Sequence, residues 1–188
     1  MIQSTELVLR LIDAFDKIGV SYMLVGSYSS NYYGRPRSTK DADFVVQIDN
    51  NQFTAVAAAI GSDFSVDPQM SFESVTMTMR YIIDHPSTAF KIELFLLSSD
   101  PHDQARFQRR TKVEFEDRFA WLPAVEDVII TKLRWSKGGK RAKDVEDVNK
   151  VLAVRSAQLD LPYIRNWADQ HGTRELFERL LTAASALS

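Results

Sequence analysis

The stretch VGSYSSNYYGRPRSTKDADFVV, residues 25–46, decides how this sequence is interpreted. It starts at the end of a short apolar segment, Tyr22–Val25, and runs into a second one, Asp41–Ile48. Apolar segments of this length with alternating character predict buried β-strands. Because side chains alternate between the two faces of a strand, Asp41 and Asp43 are predicted to point to the same side of a sheet.

A third carboxylate lies on another predicted strand, Phe90–Leu97. Glu93 is the single carboxylate in the run KIELFLL, and a carboxylate that faces the core without a partner costs free energy of folding. Three carboxylates on neighbouring strands supply oxygen ligands for one or two Mg²⁺ ions and leave positions open for a substrate phosphate. The alternative is that Asp41 and Asp43 cap the end of a strand and Glu93 faces solvent.

Between the two apolar segments the sequence has features that suit an anion. Gly26 and Ser27 follow the first strand and open a short helical stretch, where backbone N–H groups and the serine hydroxyl suit a phosphate. A loop carrying Arg35, Arg37 and Lys40 then leads into the aspartates. An ordinary strand-to-helix turn is the alternative interpretation of Gly26 and Ser27.

Composition excludes several classes of protein. The 188 residues include no cysteine, which excludes a disulfide scaffold, thiolate zinc sites and cysteine nucleophiles. A net charge of −2 argues against a globally basic nucleic-acid binder. The sequence contains no P-loop motif, no G-x-S-x-G nucleophile elbow, no signal peptide and no apolar run near the ~18 residues of a membrane span. We therefore expect a soluble cytoplasmic protein without a membrane partner.

The order of predicted elements indicates an α+β fold. Strands mixed with helices come first, and the sequence from residue 124 onward is helical. We predict an α/β head over residues 1–122, with a mixed β-sheet and flanking helices, and a C-terminal helical region packed on it over residues 123–188. The remaining head elements are predicted as a helix over 3–18, a helix over 51–60, a strand over Ser74–Ile83, and weak strands over 112–115 and 119–122.

One lysine of the helical block occupies an unexpected position. Lys132 falls within the apolar stripe of the predicted helix 124–137, three residues after Ile129. Such a lysine either extends its ammonium group to solvent from the edge of the core or faces an anion. The basic run over residues 132–143 is, by itself, typical of a solvated surface.

These residues carry a family resemblance. The opening stretch resembles the signature of the nucleotidyltransferase superfamily, in which a Gly-Ser turn precedes D-x-D on the next strand. The pattern YG-x-x-R-x-T-x-D-x-D, residues 33–43, is similar to the abortive-infection (AbiEii-like) and toxin-type enzymes of that superfamily. The segment VEDVIITKLRWSK…RAKDVEDV, residues 125–148, resembles the second block of the same enzymes.

The resemblance implies a fold, an activity and partners. It implies a nucleotidyltransferase-like sheet, and Mg²⁺-dependent transfer of a nucleotidyl group from an NTP to an acceptor hydroxyl. The acceptor would be a tRNA 3′ end or a protein, in a toxin–antitoxin or phage-defence setting with a cognate antitoxin protein. A small molecule such as an antibiotic is a further possible acceptor.

The resemblance also assigns roles to individual residues. Asp41 and Asp43 would hold the metal and the triphosphate, and Glu93 would hold a second metal or act as a base. Lys132 would contact the triphosphate. A downstream aspartate would complete the NTP site, and both Asp144 and Asp147 fit this position by their spacing. The other substrate-binding positions are Gly26, Ser27, Arg37 and Thr39.

Two alternatives belong to other functional classes. One is a catalytically inactive nucleotide- or RNA-binding module of the same fold. The other is an RNA-binding protein that uses the basic run together with Arg106, Arg109, Arg110 and Lys112. The presence of all three carboxylates and of Lys132 favours the enzyme over these alternatives.

Overall fold

The structure is a computed structural model that describes residues 4–74 and 77–186. Its helices are α1 (Ser4–Ile18), α2 (Gly26–Tyr33), α3 (Asn50–Ile60), α4 (Pro101–Gln108), α5 (Val125–Trp135), α6 (Ala142–Arg155), α7 (Leu161–Gln170) and α8 (Arg174–Ser185). Its strands are β1 (Ser21–Val25), β2 (Asp41–Gln47), β3 (Ser65–Val66), β4 (Ser71–Glu73), β5 (Thr78–Asp84), β6 (Lys91–Leu96), β7 (Thr111–Phe115) and β8 (Arg118–Leu122).

The larger sheet is mixed, as the sequence predicts. Its strands follow the order β1-β2-β6-β5-β3, and β4 pairs with β5 beside β3. β2 and β6 are parallel, whereas β1 pairs with β2, and β5 with β6, in antiparallel fashion. β7 and β8 form a separate two-stranded hairpin. The predicted α+β class with a mixed sheet is therefore confirmed.

One face of the larger sheet packs on α1 and α3. The stripe of α1 contributes Leu7, Leu11 and Phe15, each almost completely buried. Phe15 meets Tyr22 of β1 and Phe44 of β2 at ring-centroid distances of 5.1 and 5.5 Å. Burying aromatic side chains of this size stabilises the unit by roughly 2–3 kcal/mol each.

The opposite face is divided between an apolar and a polar half. Phe107 of α4 packs against Met23 and Val25 of β1, Val45 of β2 and Phe95 of β6. The polar half carries the ionisable side chains of β2, β6 and β5 on the same side of the sheet.

Two parts of the fold differ from the sequence predictions. The predicted strand Ser74–Ile83 is observed as β5, which begins only at Thr78, and Val75 and Thr76 lie outside the described residues, as does residue 3 of the predicted first helix. α4 was not predicted, because eight mostly polar residues give no apolar stripe. Asp100 caps this helix by accepting from two backbone N–H groups, and Pro101 occupies its first turn.

The chain divides into two compact units. The first runs up to Val25 and from Thr39 to Leu122, and the second comprises Gly26–Ser38 and the residues from Pro123 onward. This differs from the sequence-based division in the short segment Gly26–Ser38, which groups with the C-terminal helices.

The second unit has its own core, built from one face of each of α5, α6, α7 and α8. Its buried members include Ile129, Leu133, Val151, Ile164 and Phe177. The segment Gly26–Ser38 joins this unit through close backbone packing. A Cβ on Gly34 would lie 2.8 Å from the carbonyl carbon of Lys150, so only glycine fits there.

Within the described residues, no helix combines the length and the apolar character that a membrane crossing requires.

Candidate functional site

In the first unit, the carboxylates of Asp41, Asp43 and Glu93 lie on one face of the sheet. Asp41 and Asp43 alternate with the buried Ala42 and Phe44 along β2. In the parallel pairing of β2 with β6, Asp43 lies directly opposite Glu93. Neighbouring strands are about 4.8 Å apart, and registered residues point to the same face, so Glu93 shares its side of the sheet with both aspartates.

Glu93 is engaged by a cation from the next strand. Arg80 of β5 lies with its Nη1 2.9 Å from Glu93 Oε1, and its guanidinium lies 5.9 Å from the ring centroid of Phe95. Burial raises the pKa of Glu93, Arg80 opposes this change, and the charges of Asp41 and Glu73 add to it. The raised pKa is the expected result of carboxylates crowded on a half-buried surface.

Asp41 is oriented by a neighbour in sequence. The Thr39 hydroxyl donates to Asp41 Oδ1 at 2.7 Å, which fixes the carboxylate at the start of β2. Substrate binding by Thr39, which the resemblance implies, stays a prediction.

The carboxylates of this face differ in how well they suit Mg²⁺. Asp41 and Asp43 provide hard oxygen ligands on one face of one strand, which suits a cation that prefers one or two carboxylates plus water and phosphate. Glu93 is bound to Arg80, and among residues 4–74 and 77–186 no group of three or more Asp, Glu, His or Cys side chains is arranged to hold a metal ion. The two aspartates therefore fit the ion, and the predicted three-carboxylate ligand set is not assembled.

The second unit contains a buried network of charges centred on Asp147 of α6. Arg37 Nε and Nη2 donate to the two carboxylate oxygens of Asp147 at 2.7 and 2.9 Å. Lys132 Nζ of α5 lies 2.8 Å from Asp147 Oδ2. Asp147 is 1% exposed, so these charge-assisted hydrogen bonds form with very little water around them.

Lys132 faces anions, which is one of the two alternatives for its sequence position, and these anions are carboxylates of its own unit. It is buried, and it is shared between Asp147 and Asp144, whose Oδ1 lies 3.3 Å from Nζ. Asp144 is also approached by Arg141 Nε at 3.2 Å from the preceding turn. Both aspartates that the sequence left open therefore contact the lysine, and Asp147 also accepts hydrogen bonds from Arg37.

The same network includes Ser27, which lies in the turn that is predicted to bind phosphate. Arg37 Nη2 donates to the Ser27 hydroxyl at 2.9 Å. The Asn31 side chain donates to the backbone carbonyl of Arg37 and accepts from its backbone N–H group. Gly26 has a φ of 64°, a left-handed conformation that glycine adopts at little cost. The network therefore fixes Ser27, the loop before β2 and the face of α6 relative to one another.

The basic residues of the RNA-binding alternative do not share a common environment. Arg106 is buried and pairs with Asp103, which removes it from any surface patch. Arg110 lies over the rings of Phe107 and Trp121 at 4.1 and 5.2 Å. Arg106 therefore does not contribute to the basic surface of that alternative, because α4 turns it towards Asp103 in its own first turn.

Arg80 is a residue of the acidic face that the sequence alone did not identify. The alternation of β5 could have indicated its position, because Tyr81 and Ile83 are buried on one face of the strand and Arg80 lies on the other. Linking it to Glu93 requires the register of β5 against β6, which is not readable from one sequence.

No known protein-family profile matches this sequence, and no curated protein matches it. Several solved structures do match its fold. ANT(2'')-Ia in complex with adenylyl-2''-tobramycin has a TM-score of 0.62 at 10% identity, covering 91% of this chain and 98% of that one. An antigenic nucleotidyltransferase-like protein from Paracoccidioides brasiliensis has a TM-score of 0.56 at 17% identity, covering 94% and 92%.

A third similar structure is the lincosamide antibiotic adenylyltransferase LnuA, bound to lincomycin. Its TM-score is 0.51 at 11% identity, with 78% of this chain and 96% of that one covered. All three likenesses extend over most of both chains, and all are at low identity. This chain therefore has the fold of nucleotidyltransferase-like proteins.

Proposed function

We propose that this chain is a nucleotidyltransferase that transfers a nucleotidyl group from an NTP to an acceptor hydroxyl. The observation that carries the proposal is the placement of Asp41, Asp43 and Glu93 on one face of the sheet, with Asp43 and Glu93 in register. A fold shared with nucleotidyltransferase-like proteins supports the same activity. Fold alone does not assign chemistry, so the acidic face is the stronger argument.

The reaction is a displacement at the α-phosphorus. The acceptor oxygen forms a bond to that phosphorus, the bond from it to the bridging oxygen of the β-phosphate breaks, and pyrophosphate leaves. We assign Glu93 to accept the proton of the acceptor hydroxyl, since burial makes it a stronger base than an ordinary glutamate. A Mg²⁺ ion, when bound by Asp41 and Asp43, supplies positive charge to the phosphate oxygens.

The turn that opens α2 is proposed to bind phosphate. Ser27, with its hydroxyl already held by Arg37, and the backbone N–H groups that open α2 provide donors of the kind that bind phosphate. Lys132 is buried and its ammonium contacts two carboxylates, so its charge is already compensated within the second unit. We therefore propose that Lys132 and Asp147 act mainly by holding Arg37 and Ser27 in position.

Two classes of acceptor are supported by different observations. The resemblance to AbiEii-like and toxin-type enzymes favours an RNA 3′ end or a protein, and a cognate antitoxin would then be a partner. The structural likeness to antibiotic adenylyltransferases favours a small molecule with a free hydroxyl. The acidic face of the sheet supports the second class when that molecule is cationic, because it attracts positive charge.

The experiment incubates the purified chain with each NTP, labelled either at the α- or at the γ-phosphate, together with Mg²⁺. Acceptors are supplied in parallel as a tRNA pool, total protein, and an aminoglycoside such as tobramycin. We expect α-label on one acceptor class and γ-label only in pyrophosphate. Release of γ-label as free phosphate without labelling of any acceptor would instead mean hydrolysis and would overturn the proposal.

A further inference from the structure

The acidic face contains its own cation. Arg80 reaches across from β5 to Glu93 at 2.9 Å, and its Nε lies 3.4 Å from the Ser71 hydroxyl of β4. Its side chain is about one-quarter exposed, so the guanidinium is partly withdrawn from water beside the carboxylate. Arginine remains protonated at every physiological pH, so the positive charge at this position is permanent.

A permanent cation changes how many metal ions the face can hold. Carboxylates crowded on one face repel one another, and each divalent ion that binds among them relieves that repulsion. Here one of the three is already neutralised by a fixed guanidinium, and in the described part of the chain no three-ligand group is formed. A second ion at Glu93 would lie within a few ångströms of the positive charge of Arg80 and would be repelled by it.

We propose that the guanidinium of Arg80 takes the place of a second metal ion beside Glu93, so that the acidic face binds a single divalent cation, at Asp41 and Asp43. This inference rests on the proposed function for the role of the ion, but the number of ions bound is measurable without turnover.

The test counts bound metal directly. The full chain is titrated with Mn²⁺ alone, and free Mn²⁺ is followed by its electron paramagnetic resonance signal. We expect about one Mn²⁺ per wild-type chain, and about two in Arg80→Met, which keeps a similar stem and removes the charge. Arg80→Lys restores a cation and is expected to return the count to about one.

A matched control separates this effect from a general loss of positive charge. Arg118 pairs with Asp13 and Asp117 in the same unit, and Arg118→Met is expected to leave the count at about one. Far-ultraviolet circular dichroism of each variant checks that it is folded. A second Mn²⁺ in the wild type, an unchanged count in Arg80→Met, or no binding in the wild type each overturns the inference.

The outcomes also distinguish this inference from the proposed function. A wild-type chain that transfers nucleotides but binds two ions refutes the role of Arg80 and leaves the activity standing. A chain that binds one ion and transfers no nucleotide to any acceptor refutes the activity.

Discussion

The buried carboxylate of Asp147 provides a stringent test of the charge network in the second unit. Asp147→Asn keeps the shape of the side chain and removes the charge that Arg37 and Lys132 share. Both cations keep other partners, since Lys132 retains Asp144 and Arg37 retains the Ser27 hydroxyl. Breaking a buried ion pair from one side costs about 3–5 kcal/mol. Because of the remaining partners, we expect Asp147→Asn to lower the free energy of unfolding by about 3 kcal/mol, the lower end of this range.

The assay is urea unfolding monitored by circular dichroism, in which the free energy of unfolding is calculated from the midpoint and the slope of the transition. The matched control is Glu146→Gln, one residue away on the same helix. Glu146 is 61% exposed and pairs with Lys150 at i,i+4, so its loss is expected to cost no more than about 0.5 kcal/mol. Equal midpoints for Asp147→Asn and Glu146→Gln would refute the claim that the network stabilises the unit.

The same substitution predicts a pH dependence. Burial by itself raises the pKa of Asp147, but the hydrogen bonds from Arg37 and the charge of Lys132 outweigh it, and the net pKa is lowered. A carboxyl with a lowered folded-state pKa contributes stability above its unfolded pKa, near 3.9, and loses it as pH falls through the folded value. The gap in stability between wild type and Asp147→Asn should therefore narrow below about pH 4. A gap that stays constant to pH 2 would contradict this assignment.

Two further substitutions test individual packing contacts. Gly34→Ala places a Cβ 2.8 Å from the carbonyl carbon of Lys150 and 2.9 Å from the nitrogen of Val151, and since backbone yields little, we expect a loss of about 1–3 kcal/mol in urea unfolding. Stability equal to wild type would show that the loop accommodates the methyl group freely. Arg10→Ala removes a bidentate pair with the partly exposed Asp63, so it should cost at most about 1 kcal/mol, and less in 1 M salt than in 0.1 M salt. A larger or salt-independent cost would indicate that packing of the arginine stem dominates.

The sequence predicted the elements that have strong patterns. The apolar stripe of α1, the runs of β1, β2 and β6, and the helices after Pro123 all follow from periodicity, and their bounds differ from the predictions by a few residues. β3 and β4, with two and three residues, are too short to show any alternation. Their pairing with β5 depends on contacts across the sheet rather than on local preference.

For the candidate site, the sequence identified the residues better than their partners. Alternation along β2 placed Asp41 and Asp43 on one face, because that relation is local to one strand. The ion pairs of Glu93 with Arg80 and of Arg37 with Asp147 join positions that are 13 and 110 residues apart in the chain. Such pairs depend on strand register and helix packing, which a single sequence does not reveal.

The central claim is that the acidic face of the sheet carries out nucleotidyl transfer. The most direct measurement is the single-turnover rate of α-label transfer for Asp43→Asn against Asp67→Asn, an exposed carboxylate of the same unit. We predict a fall of at least about 100-fold for Asp43→Asn, because it removes a metal ligand whose charge acts at the transferred phosphate. Asp67→Asn should transfer at the wild-type rate. Equal rates for the two variants, with both folded, would contradict the account.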